Sequence, residues 1–274
     1  MKHVAAQTGK YTSLVVASVV TLLPLVLILF GAFKDYREYT STSPMAPPSH
    51  WTNLDNFRTA FVDGGMGTGF VNTILIMAVA LVGAVLNAAF AAYALDRFRF
   101  RGRRAVTALF MLAALVPEVT TQVATFQLVK ALGLYNSRGS LVVLYMGTGI
   151  ISIYIFLQFM RSIPRSLDEA AMLDGAGHPR IFFRVILPNL KPAIATVVII
   201  RGIAMYNEFY LPFLYVSDTE KRPVSTALFA FKGQYGAQWE VISAGVLITI
   251  VPILVLFLFM QRYVYNGFTS GAVK

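Results

Sequence analysis

Cysteine is absent from this chain of 274 residues. No disulfide can staple it, and no thiolate can hold a metal or attack a substrate. Histidine is nearly absent: His3, His50 and His178 lie far apart and show no metal-ligand spacing. Charge is scarce too. Asp, Glu, Lys and Arg make up 13% of the residues, against about 25% in soluble domains. No G-x-x-x-x-G-K-[ST] loop occurs, so ATP chemistry is not expected of this chain itself. There is no nucleophile elbow and no clustered catalytic set near one end of a span, which argues against a membrane enzyme. Internal repeats are also lacking, which argues against a self-sufficient secondary transporter or channel.

What the chain has instead is apolar length. Hydrophobic residues make up 57% of it, and its mean hydropathy is +0.65. Tyr11 to Phe33, Gly64 to Leu95, Gly139 to Met160 and Val241 to Gln261 carry no charge. Ala105 to Val129 carries only Glu118, and Pro192 to Ser217 only Arg201 and Glu208. A spanning helix needs roughly 20 apolar residues. Six are therefore expected, near 13–33, 71–94, 105–126, 140–160, 192–213 and 241–262. The expected fold class is an all-α polytopic membrane protein, with one transmembrane domain over residues 1–274. The first run is too long for a signal-peptide core, and KDYREYT follows it without a small-residue cleavage site. It is read as a retained helix.

An even number of crossings puts both termini on one side. That side takes the turn at 96–104, the loop at 161–191 and fourteen Lys and Arg residues, against eight on the other. The excess places both termini in the cytoplasm. The run RFRFRGRR from Arg97 to Arg104 is the strongest anchor, set beside acidic lipid; a nucleic-acid partner is not expected.

One polar segment interrupts the apolar text: SLDEAAMLDGAGHPRIFFRVILP, from Ser166 to Pro188. Pro164 ends the helix before it. Ser166 and Glu169 have the spacing of a capping box, with the hydroxyl on the Glu169 N–H and the carboxylate returning to the Ser166 N–H. Asp168 and Glu169 suit the first turn of a helix. Leu167, Ala170, Ala171 and Leu173 give that short helix a small apolar side, and Gly175 suits the position just past its end. A second helix is expected from Pro179, with Ile181, Phe182, Val185 and Ile186 inward, until Pro188 stops it. Two turns of helix are not stable alone in water. Alanines on the face admit close approach of another surface, which suggests a docking helix for a cytoplasmic partner. The alternative is an interfacial loop lying on lipid, for which more Lys, Arg, Trp and bulky apolar residues would be expected.

Glu169-Ala170-Ala171, then Asp174-Gly175-Ala176, then Ile186-Leu187-Pro188 resemble the EAA signature of ABC importer permeases. Tyr206-Asn207-Glu208-Phe209 with Pro212 resembles the WNEF-x-x-P segment of the sugar permeases, with Tyr in place of Trp. Gly233-Gln234-Tyr235-Gly236 and the tail GFTSGAVK resemble the smaller six-helix subunit of the maltose-type branch. The resemblance implies a permease subunit of a binding-protein-dependent importer for a sugar, in a bacterial or archaeal cytoplasmic membrane. It implies a coupling helix in which Ser166, Glu169, Ala170, Ala171, Asp174 and Gly175 meet an ATPase. It implies as partners a second permease subunit, an ATPase dimer that binds ATP and Mg, and an extracytoplasmic sugar-binding protein, with membrane lipid around them. No cofactor is expected on this chain. Glycerol phosphates and related polar solutes are the alternative cargo.

Ionisable groups inside spans are candidate functional groups. Glu118 is expected about 20 Å from the cytoplasmic end of its span, and Arg201 and Glu208 about 10 Å apart on one helix face. With Thr120, Thr121, Gln122, Gln127, Tyr206, Asn207 and Tyr210 they offer the planar hydrogen-bonding groups and aromatic faces that sugars use. The other reading is that the carboxylates fix packing between helices or subunits. Gln234, Tyr235 and Trp239 in the last outer loop are candidates for contact with the binding protein, or else interfacial aromatic anchors. By the same resemblance the tail, Gly267 to Lys274, packs between the two ATPases.

Overall fold

The computed structural model describes residues 2–147, 149–233 and 236–269. The elements run in the order α1 (Lys2–Phe33), α2 (Tyr36–Ser41), α3 (Asp55–Val62), α4 (Met66–Arg97), α5 (Arg103–Ala114), α6 (Glu118–Ala131), α7 (Arg138–Met146), α8 (Ile150–Arg161) and α9 (Ser166–Leu173). Then follow α10 (His178–Ile181), a π-helical turn (Phe182–Ile186), α11 (Leu187–Asn189), α12 (Lys191–Asn207), α13 (Tyr210–Tyr215), α14 (Val224–Ala227), a 3₁₀ turn (Leu228–Phe231), a two-stranded antiparallel ladder (Lys232–Gly233 with Gly236–Ala237) and α15 (Trp239–Thr269).

α4 is the axis of the bundle. At 1.5 Å per residue it is about 48 Å long, more than a hydrocarbon core needs. One side of it is a stripe of small residues: Ala80, Gly83, Ala84, Ala88, Ala89 and Ala92 are all buried. Small side chains let helix backbones approach closely without a bulky interlock. A Cβ on Gly83 would fall on the side chain of Met146. α7 and α8 lie along this stripe, and α12 and α14 also touch α4. α1 packs mainly on α15, and most of its side chains are exposed, as expected for a helix facing lipid or another membrane subunit.

Two of the expected spans, α1 and α4, are single helices long and apolar enough to cross a membrane, and the span expected at 241–262 lies within the single helix α15. Three others are broken. The span expected at 105–126 bends by 102° between α5 and α6. Pro117 stands at the bend: it has no N–H to continue the helix and takes an extended ψ of 132°. The span expected at 140–160 bends by 44° between α7 and α8, across a stretch that contains Gly147 and Gly149. The span expected at 192–213 ends at Asn207, and Glu208 takes an extended ψ of 119° before α13 begins. Before it, the chain from His178 to Asn189 meets α12 at 76°. Pro188 does not stop the helix expected to begin at Pro179. The π turn just ahead of it, in which the Leu187 N–H reaches back to the Phe182 carbonyl, widens the helix so that it runs on to Asn189.

At the end of the bundle away from α9, buried polar side chains tie loops to helix ends. Asn56 donates to the Ala32 and Lys34 carbonyls. The Lys34 ammonium, 2% exposed, donates to Thr42 Oγ1 and the Ser43 carbonyl. Asn72 donates to the Glu220 and Arg222 carbonyls, and Thr73 Oγ1 accepts the Val224 N–H.

Candidate functional site

The segment 161–191 folds as a unit at one end of the bundle. Its first helix begins one residue earlier than a capping box would require. Arg165 already has helical φ and ψ, and its carbonyl accepts the Asp168 and Glu169 N–H groups at 3.0 and 3.1 Å. Ser166 therefore lies inside the first turn, and the expected reciprocal bonds between Ser166 and Glu169 do not form. The exit is as expected. Gly175 has φ +80°, its N–H bonds to the Met172 carbonyl at 2.9 Å, and the Ala176 N–H bonds to the Ala171 carbonyl at 2.9 Å. This crossed pair is a Schellman close, for which glycine is the favoured residue at the left-handed position.

The faces of α9 are the reverse of an ordinary surface helix. Its one buried side chain is a carboxylate, Asp168, at 5% exposure. Leu173 is 90% exposed, and Leu167 and Met172 are nearly half exposed. Glu169, Ala170, Asp174 and Gly175 are also exposed, while Ala171 is half-buried against the core. An apolar surface of this kind, next to free carboxylates, is what a protein partner covers.

Asp168 points at the end of α4. Its Oδ2 lies 2.7 Å from Arg97 Nε, and both side chains are 7% exposed. Arg97 also reaches Asp96 Oδ2 at 3.1 Å and the Ile163 carbonyl at 3.0 Å. Arg165 donates to the Asp96 carbonyl at 3.0 Å. Burial pushes the Asp168 carboxyl up from its ordinary range, and the Arg97 and Arg165 guanidinium groups pull it back only in part. Its Oδ1 has no hydrogen-bond partner among the described residues. Beside the ion pair, Phe182 stacks on Phe90 with ring centres 4.4 Å apart and meets Tyr93 edge-on at 5.2 Å. Phe98 meets His178 at 4.8 Å. Sequence reasoning missed this joint, because Arg97 opens a basic run that topology alone explains. The available signal was Asp96, the one acid adjoining that run.

The residues expected along a solute path come together only in part. Gln122 Nε2 donates to Tyr215 Oη at 3.0 Å. Tyr206 Oη donates to the Thr249 carbonyl on α15 at 2.9 Å. Glu208 Oε1 accepts the Tyr210 and Leu211 N–H groups at 2.8 and 3.1 Å, which caps α13 across the break. Glu208 thus leaves the face it was expected to share with Arg201, since the helix ends before it. Arg201 donates to the Tyr145 carbonyl at 2.8 Å, and Asn87 donates to the Met146 carbonyl at 3.0 Å. These carbonyls are freed by the break after α7. Asn207 and Tyr210 are exposed beside the break that Glu208 caps. Glu118 opens α6 beyond the 102° bend, so the straight-helix depth expected for it does not hold; its side chain lies outside the described residues. Gln234 and Tyr235 also lie outside them. Trp239 is half exposed at the start of α15.

The family model for the binding-protein-dependent transport system inner membrane component matches residues 84–269. The chain is 30% identical to the diacetylchitobiose uptake system permease protein NgcG of Streptomyces coelicolor, over 95% of this chain and 87% of that protein. It is 32% identical to the galactooligosaccharides transport system permease protein GanQ of Bacillus subtilis, over 96% of this chain and 94% of that one. In shape it matches a chain of a bacterial ABC transporter involved in the import of the acidic polysaccharide alginate. The TM-score is 0.81 at 20% identity, over 94% of this chain and 96% of that chain. At that identity the likeness establishes the permease fold.

Proposed function

The chain belongs to the family of binding-protein-dependent transport system inner membrane components, and from that premise we propose that it is the transmembrane permease subunit of an ATP-driven importer for a di- or oligosaccharide. The relatives named for chitobiose and galactooligosaccharide uptake support the cargo class. The whole chain is one transmembrane domain that crosses the membrane six times. The crossings are α1, α4, α5 with α6, α7 with α8, α12 with α13, and α15. Both termini lie in the cytoplasm, as the distribution of Lys and Arg requires.

α9 is the coupling helix. Ser166, Glu169, Ala170, Ala171, Asp174 and Gly175 form its contact with an ATPase, which binds ATP and Mg. A second permease subunit covers part of the exposed membrane surface, and an extracytoplasmic sugar-binding protein docks on the outer loops that hold Gln234, Tyr235 and Trp239. Of the solute path Glu118, Gln122, Tyr206, Asn207, Glu208 and Tyr210, Asn207 and Tyr210 are exposed among the described side chains, while Gln122, Tyr206 and Glu208 also bond across broken helices. One observation carries the reading: a helix of eight residues turns one of its two carboxylates, Asp168, inward and presents Leu167, Met172 and Leu173 outward.

The test is a pull-down of the detergent-solubilised protein, wild type beside Gly175→Asp. Wild type brings down a second permease and an ATPase, and the mutant loses the ATPase alone. A wild-type protein that purifies by itself and still moves solute in vesicles would be a secondary transporter, and the proposal would fall.

A further inference from the structure

The coupling helix is continuous in sequence with α12, yet its polar side-chain attachments are to another element. Three polar contacts join the α9 region to the last turn of α4: Asp168 to Arg97, Arg97 to the Ile163 carbonyl, and Arg165 to the Asp96 carbonyl. Phe182, just beyond α10, is stacked on Phe90 and against Tyr93, both also on α4. Toward α12 the chain bends by 76°. An ion pair that is almost fully buried is a costly way to hold two elements together, since an apolar pair of similar volume often stabilises as much or more. What the pair gives in return is a fixed register: Arg97 has one position in which it meets Asp168, Asp96 and the Ile163 carbonyl together.

We propose that Arg97 is a positioning residue for transport. By holding Asp168 it locks α9 to the end of α4, so that a push on α9 is delivered to α4 and, through the small-residue stripe, to α7 and α8. The inference rests on the proposed role of α9 as the contact with an ATPase. It adds which membrane helix receives the stroke, and through which side chains.

The experiment uses the assembled transporter in proteoliposomes with its ATPase and binding protein. It compares wild type with Arg97→Met, Asp168→Asn and Arg97→Lys. Two quantities are read for each: the amount of ATPase that co-purifies, and solute taken up per ATP hydrolysed. Expected is a fall of about tenfold in uptake per ATP for Arg97→Met and Asp168→Asn, within the usual range of coupling effects. Co-purification should be retained, and Arg97→Lys, which keeps the charge opposite Asp168, should recover most of the ratio. A wild-type ratio in either of the first two variants overturns the proposal. So does a loss that lies wholly in the amount of complex assembled.

A second measurement leaves the joint intact. The chain has no cysteine of its own, so spin labels can be placed on Arg180→Cys and Val82→Cys, both at exposed positions. Their separation should be the same with and without nucleotide, because the loop and α4 move as one body. A nucleotide-dependent change in that separation overturns the proposal even if every substitution above fails to assemble. If wild type itself brings down no ATPase, the functional reading and this inference fall together. If wild type couples and Arg97→Met couples equally, only the inference falls.

Discussion

Residues 161–191 and the broken spans both place polar side chains where the chain has few, and they use them in opposite ways. In the segment 161–191 one carboxylate, Asp168, is turned inward to lock a joint, and the others face out: Glu169 and Asp174 are exposed next to Leu173. In the spans the polar groups are turned onto the chain itself. Arg201 and Asn87 meet the carbonyls freed after α7, and Glu208 meets the N–H groups freed at the start of α13. A broken helix in lipid leaves backbone groups that no water reaches, so side chains must satisfy them. The general expectation that a charged residue within a span marks a solute path therefore needs a prior question, whether a helix breaks beside it. Here Glu208 and Arg201 both sit at breaks.

Gly175→Asp probes the outward-facing half of the comparison, with the largest expected effect. A Cβ there meets nothing within 4 Å in this chain, so within the fold a substitution acts through φ +80°, and aspartate adds bulk and charge at the proposed ATPase contact. A left-handed conformation costs about 1–2 kcal/mol for a residue with a side chain. That is too little to unfold the bundle and enough to redirect a two-turn helix. Uptake should be lost while membrane insertion stays at the wild-type level, checked by transport assay and by the amount of protein in the membrane. Gly175→Ala should fall between the two.

The inward-facing half gives a smaller and pH-dependent effect. Asp168 in the folded protein holds its proton more firmly than in the unfolded chain, chiefly because it is buried. Its protonated form therefore favours folding below the ordinary carboxylate range. That contribution fades as pH rises through the raised value. Melting of the detergent-solubilised protein, followed from pH 7 down toward about pH 4, should show an acid-side gain that Asp168→Asn removes. An unchanged profile in Asp168→Asn would place the titration elsewhere.

The short helix at 166–173 and its glycine exit were legible because their signals are local. A glycine past a helix end and an EAA string in a polar loop depend on neighbours within ten residues. The six apolar runs were legible for the same reason. The breaks were less so, though Pro117 and the pair Gly147 and Gly149 mark two of them in plain view. What hid them is that hydropathy averages over a window and does not register direction. The capping box failed because Arg165 adopted helical geometry one residue early. The Arg97–Asp168 pair is separated by 71 positions and depends on packing, so no periodicity could have shown it.

Glu208 tests the membrane half. Glu208→Gln keeps a carbonyl oxygen to accept the Tyr210 and Leu211 N–H groups, whereas Glu208→Ala removes the cap. Alanine at a cap costs about 1 kcal/mol. The expected result is a lowered melting temperature for the alanine variant, near wild-type behaviour for glutamine, and unchanged preference among sugars in both. A changed preference in Glu208→Gln would return this carboxylate to the solute path.

The smallest effect is expected at the bond between Gln122 and Tyr215. Tyr215 is fully buried among Phe126, Leu141 and their neighbours, and its hydroxyl accepts from Gln122 at 3.0 Å. Tyr215→Phe keeps the ring and its packing and removes one neutral hydrogen bond, worth about 1 kcal/mol. Gln122, half-buried and near the surface of α6, can turn to another partner and limit even that loss. If Gln122 serves packing, Tyr215→Phe and Gln122→Leu should both leave uptake of competing sugars in the wild-type order. If Gln122 serves a solute, Gln122→Leu alone should reorder them, because Tyr215 is too deep to be touched. The two substitutions act on opposite ends of one bond, so their disagreement would separate the roles that the geometry joins.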